Sequence, residues 1–103
     1  MNSIENKDLI TEREEKLLRK GSLLNTLGVW RFAAINKGNL ERDRYIKLIK
    51  INFMMSIDEQ DPIFENQINL VWDQAIEKLT QMNLLDLNAT TKNKIVLIDN
   101  KLR

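Results

Sequence analysis

Two groups of carboxylates in this chain have a spacing that chemistry could use. Asp58, Glu59 and Asp61 crowd together as oxygen ligands for a hard cation would. Asp73 and Glu77 lie one helical turn apart, where one carboxyl can donate a proton while the other accepts one. Each group has a plainer explanation. The first matches no calcium loop, and Asp61 directly before Pro62 reads as a helix cap. The second has no pocket signal around it and reads as a solvated helix face. Three scattered glycines cannot form a phosphate-cradling loop.

The missing residue types narrow the chemistry further. The 103 residues include no cysteine and no histidine. That removes disulfides, thiolate nucleophiles, imidazole bases and the usual zinc ligand sets. The chain is therefore expected to be a non-enzyme, with no catalytic residue, no metal ligand and no cofactor. With 43% hydrophobic and 30% charged residues, it has the balance of a globular domain with one modest core. No apolar run approaches the roughly 18 residues of a spanning helix, and the N-terminus lacks the apolar stretch of a secretory signal. A cytoplasmic protein without membrane contact is expected.

Net charge is only +1, but it is unevenly laid out. Residues 37–50 carry Lys37, Arg42, Arg44, Lys47 and Lys50 against Glu41 and Asp43. From Ile51 to Glu77 there is no basic residue, while Asp58, Glu59, Asp61, Glu65, Asp73 and Glu77 accumulate. The tail turns basic again with Lys78, Lys92, Lys94, Lys101 and Arg103. Such a layout suits docking to a partner of complementary charge or self-assembly.

The elements that must position these residues follow from periodicity and punctuation. Residues 1–10 read as a flexible N-terminus and 11–103 as a single helical domain. Thr11 and Glu14 form a capping box for a first helix through Leu17 and Leu18, with a break expected at Gly21-Ser22. A second helix holds Leu23, Leu24, Leu27, Trp30, Phe32, Ala34 and Ile35, with Gly28 placed where another backbone could approach. It stops at Asn36-Lys37-Gly38. Asn39 then caps a third helix from Leu40 to about Ile57.

Asp61-Pro62 starts a fourth helix, with Asn83 as its left-handed terminus. Leu84–Leu87 and Ile95–Ile98 form either a β-hairpin or two extended arms. The expected fold is mainly α, about four helices in a compact bundle with that short tail. Its core should draw on Leu24, Leu27, Phe32, Leu48, Ile49, Phe64, Ile68, Val71, Trp72, Ile76 and Leu79.

The third helix is apolar on more than one side, which marks either a central element or one covered by a partner. Ile46, Phe53, Met54 and Met55, with Lys47 and Lys50, are the residues expected to meet a protein partner or a second copy.

Phe32, Gly38, Leu40, Tyr45 and Leu48 fall in a register that resembles an EF-hand. The resemblance makes Phe32 the end of the incoming helix, Gly38 the mid-loop turn and Leu40 the central apolar residue of the loop. Ala33, Ile35, Lys37 and Arg44 stand at the ligand positions, where cations would repel calcium. The match is to a degenerate, calcium-independent hand. Together with Trp72-Asp73 it is similar to segments in proteins of cilia and flagella, and implies a structural or adaptor subunit of a cytoskeletal or ciliary assembly.

A rival likeness lies further on. Leu79-Thr80-Gln81-Met82-Asn83-Leu84 resembles the end of a winged-helix recognition helix, with residues 86–98 as the wing. That implies a small transcriptional regulator, with Lys92, Lys94, Lys101 and Arg103 as its nucleic-acid contacts. The acidic start of the fourth helix argues against DNA, because a groove-reading helix needs cations there.

Overall fold

The capping box at Thr11 forms as its spacing predicts. The Thr11 hydroxyl accepts from the Glu14 amide at 3.1 Å, and the Glu14 carboxylate accepts from the Thr11 amide at 2.9 Å. This launches α1, Glu12–Leu18. In the computed structural model, which describes residues 10–98, α1 is followed by α2 (Thr26–Ile35), α3 (Arg42–Asn52) and α4 (Pro62–Gln81). Two short strands, β1 (Asn39–Glu41) and β2 (Lys94–Val96), pair antiparallel. The protein is mainly α with a small sheet at one end. The expected flexible segment 1–9 lies outside the described residues.

Gly21 breaks the chain between the first two helices, at a φ of 114° that disfavours side chains. The second helix begins later than its apolar run suggests. Asn25 caps it, its side-chain oxygen accepting from the Gly28 amide at 2.7 Å. Leu23 precedes the helix and is buried. Gly28 serves the close approach foreseen for it, since a Cβ there would lie 2.0 Å from the Leu23 carbonyl oxygen. With the start fixed at Thr26, the inward side of α2 is Gly28, Val29, Phe32 and Ala33. Leu27, expected in the core, therefore faces outward and is 55% exposed.

The third helix is also shorter than expected. Asn39 does not cap it; Asn39 to Glu41 run as strand β1 because a partner strand is present. Leu40 pairs with Ile95, both fully buried, and the Arg42 amide donates to the Asn93 carbonyl at 2.8 Å. At its far end α3 stops at Asn52 instead of Ile57. Met54 takes a left-handed φ of 62°, and the Met55 amide returns to the Lys50 carbonyl at 2.8 Å.

Helix α4 starts as read, with Asp61 accepting from the Phe64 amide at 3.1 Å ahead of Pro62. Asn83 closes it at a φ of 61°, and the Leu84 amide reaches the Leu79 carbonyl at 3.0 Å. The tail then folds on itself as a hairpin. The Asp86 amide donates to Val96 at 2.8 Å, the Ile98 amide to Leu84 at 3.0 Å, and Leu85 lies opposite Leu97. The segment around β2 thus runs between residues 38–42 on one side and 84–86 on the other. The Trp72 indole N–H fastens the hairpin loop to α4 by donating to the Lys92 carbonyl at 2.8 Å.

The aromatic centre of the core is Tyr45, edge-on to Phe32 at 6.2 Å and tilted against Trp72 at 5.8 Å. Its hydroxyl donates to the Leu23 carbonyl at 2.8 Å. Leu48, Ile49, Ile68 and Leu79 are buried as expected, and Leu24, Phe64, Val71 and Ile76 pack partly buried around them. Leu17, Val29, Leu40, Ile95 and Leu97 join a core in which they were not foreseen.

Leu79→Ala should cost about 2–5 kcal/mol in urea denaturation, since it opens a cavity beneath α4; a midpoint equal to that of the parent protein would remove α4 from the core. Burial pushes the Tyr45 hydroxyl well above its ordinary value of 10.0. The folded state then holds this proton more tightly than the unfolded chain does. Its contribution to stability is complete below that value and is lost as pH rises above it, by about 1.4 kcal/mol per pH unit. Tyrosinate absorbance of this single tyrosine should appear together with loss of helical circular dichroism, and its appearance in the folded protein would contradict the burial.

Candidate protein-interaction surface

The expected interaction residues divide sharply once placed. Lys50 lies only 5% exposed on the inner side of α3. Its ammonium donates to the Glu65 carboxylate at 2.7 Å and to the Glu59 carbonyl at 2.8 Å, with the Ile57 carbonyl at 3.5 Å. This lysine holds the α3–α4 connection together and has no charge to offer a partner. Ile46 is half-buried against the core, Met55 is half-buried, and Lys47 is exposed.

Phe53 and Met54 remain exposed alongside Lys47, and the two apolar residues stand where α3 turns toward α4. Phe53 is 45% exposed and edge-on to Phe64 of α4, with ring centroids 5.2 Å apart. Met54 is 94% exposed. Ile63, in the first turn of α4, adds a side chain that is 80% exposed, and Leu70 continues the same side of α4 two turns on. The inward stripe of α4 is Ile68, Trp72, Ala75 and Leu79. Ile63 and Leu70 fall outside that stripe, and this off-register apolarity was the available sequence signal for them.

Asp61 is committed to its cap, while Asp58, Glu59, Asp73 and Glu77 are exposed. Among the described residues no three acidic side chains gather as a metal site would. The outer face of α4 presents Asn66, Gln67, Asp73, Gln74 and Glu77 around Leu70, with Lys78 its only cation. Lys92 and Lys94 are exposed at the hairpin. Lys94 shares a cleft of about 310 Å³ with Glu41 and Asp43, which offset its charge. Lys101 and Arg103 lie outside the described residues. Arg42 is held by Asn69 at 3.1 Å and Asn93 at 2.8 Å.

Two ion pairs brace α3 from opposite sides. Besides Lys50–Glu65, the Arg44 guanidinium grips the buried Glu14 carboxylate of α1, with its Nε at 3.1 Å. Both are structural, so Arg44 and Lys50 leave the set of basic residues that a partner can reach. Among the described residues no helix is long and apolar enough to cross a membrane.

Lys50→Met should cost about 1–3 kcal/mol, because the Glu59 carbonyl and the Glu65 carboxylate lose their donor. Limited proteolysis should then cut within residues 53–61, while a cleavage pattern matching the parent would show that the lysine does not hold this connection.

Comparison with protein-family profiles, with curated proteins and with solved structures finds no match for this chain.

Proposed function

We propose that the chain is a non-enzymatic protein-binding module, an adaptor or structural subunit that docks through the α3–α4 corner. The observation that carries this reading is Met54. A left-handed backbone suits glycine or asparagine and costs a longer side chain about 1–2 kcal/mol. Here that position holds a methionine that is 94% exposed, directly after Phe53, whose ring meets Phe64 of α4. Flexible, apolar methionine adapts to a partner surface, so its place at a strained, solvated corner suits recognition better than stability. Asp58 and Glu59, exposed in the connection between α3 and α4, would favour a partner with cations around its contact.

A winged-helix arrangement is the fold reading supported by the order of elements. After α2 come β1, α3, α4, the extended residues 84–86, a loop and β2, with β2 in the middle of the three extended segments. In that frame α4 takes the recognition position. Its outer face, with Asp73 and Glu77 against Lys78, supports a protein ligand over a duplex, whose phosphates require cations there. The EF-hand-like register of Phe32, Gly38, Leu40, Tyr45 and Leu48 points to a cytoskeletal or ciliary assembly as the setting.

Met54→Gly separates recognition from stability. It should stabilise the isolated protein by about 0.5–1 kcal/mol by relieving the left-handed strain, yet weaken capture of the physiological partner by a photo-crosslinker placed at Gln67. Labelled duplex DNA should show no anisotropy change at low salt. Tight binding that collapses between about 50 and 200 mM salt would instead establish a nucleic-acid function.

A further inference from the structure

A second surface lies between α1 and α2, formed by other residues than the corner. A groove of about 360 Å³ separates the two helices, floored by Leu17, Trp30, Ala34 and Ile35. Arg13, Lys16, Lys20 and Arg31 stand around it, and no carboxylate is among its lining residues. Positions 13, 16 and 17 share one side of α1, so Arg13, Lys16 and Leu17 face the groove together, and Lys20 joins them from the turn past the helix end. Two of the three carboxylates of α1 are engaged elsewhere, Glu14 with Arg44 and Glu15 with Arg19 at 3.3 Å, and the third, Glu12, is exposed and is not among the groove's lining residues. Among the described residues none of the four rim cations makes a salt bridge.

We propose that this groove docks an acidic amphipathic helix from a partner protein. Four cations with no salt bridge to any described residue, set around an apolar floor, are complementary to a helix whose leucine stripe is flanked by glutamates. Leu17 is buried and Trp30, Ala34 and Ile35 are half-buried. A phosphate backbone would neutralise the rim while leaving the apolar floor in water, whereas an amphipathic helix covers both. The outer face of α4 in a second copy is a poorer match, since only Asp73 and Glu77 would face four cations. The inference shares with the reading above only the premise that the module binds protein.

The test uses the full chain and a synthetic helix-forming peptide with a leucine stripe flanked by glutamates. Trp72 is fully buried, so a change in tryptophan emission on binding reports Trp30. The peptide should shift that emission to the blue, and replacing its glutamates by glutamine should weaken binding by about tenfold. The double variant Arg13→Glu with Lys16→Glu should lose a similar factor while keeping its circular dichroism, and should gain affinity for a peptide carrying lysines in place of the glutamates. Met54→Gly should bind the acidic peptide unchanged, which separates this groove from the corner. Equal affinity for the glutamine peptide would overturn the proposal. So would single-stranded DNA or anionic phospholipid vesicles shifting Trp30 when the peptide does not, or a dimer seen in sedimentation that the charge reversal dissolves.

Discussion

The Leu23 carbonyl is the group on which the rest of the packing depends. It sits where the chain passes from α1 to α2, against a helix whose Gly28 has no side chain to keep it away. A carbonyl left unsatisfied at such depth costs free energy comparable to a lost hydrogen bond. Tyr45 supplies the donor from α3, and by doing so sets its own ring between Phe32 and Trp72. Asn52, two turns along α3, completes the seam. Its side chain donates to the Gly21 carbonyl at 3.0 Å and the Leu18 carbonyl at 3.3 Å, and accepts from the Leu23 amide at 3.4 Å. One irregular stretch is thereby tied to one helix, and the three aromatic rings follow from that tie.

The charge pattern acquires a different meaning once folded. Helix α3 looks like a basic stripe in sequence, but Arg44 and Lys50 are consumed by Glu14 and Glu65 in orienting α3 against α1 and α4. What remains exposed is smaller and better segregated: an apolar corner between α3 and α4, and a cation-rimmed groove between α1 and α2. In the proposed binding role, surfaces of opposite sign would let two partners of opposite charge be held without competing.

Local signals read well wherever a single residue settles the matter. Thr11 with Glu14, Gly21, Gly38, Asp61-Pro62 and Asn83 all act as their chemistry prescribes, because a cap or a left-handed turn is decided within four residues. The long stripe of α4 was equally legible. Misreadings gather where a distant partner overrides the local preference. Asn39 and Leu40 look like a helix start, and only the presence of Ile95 makes them strand. The register of α2 was misjudged because its apolar run begins before its cap, which turned Leu27 outward. Lys50 reads as a surface cation because nothing nearby in sequence announces that Glu65 and the Glu59 carbonyl converge on it.

The pairing of Leu40 with Ile95 has a consequence in time. These residues are 55 positions apart, 95 minus 40, so the sheet is a contact of high sequence separation. During synthesis α1, α2 and α3 can leave the ribosome and begin to associate while β1 still has no mate. The nascent chain must carry Leu40 uncovered until β2 emerges, and the Trp72 indole must wait for Lys92. Closing that loop is entropically slow, so the sheet edge near Leu40 is where an incomplete chain would be exposed to chaperones or to wrong pairing.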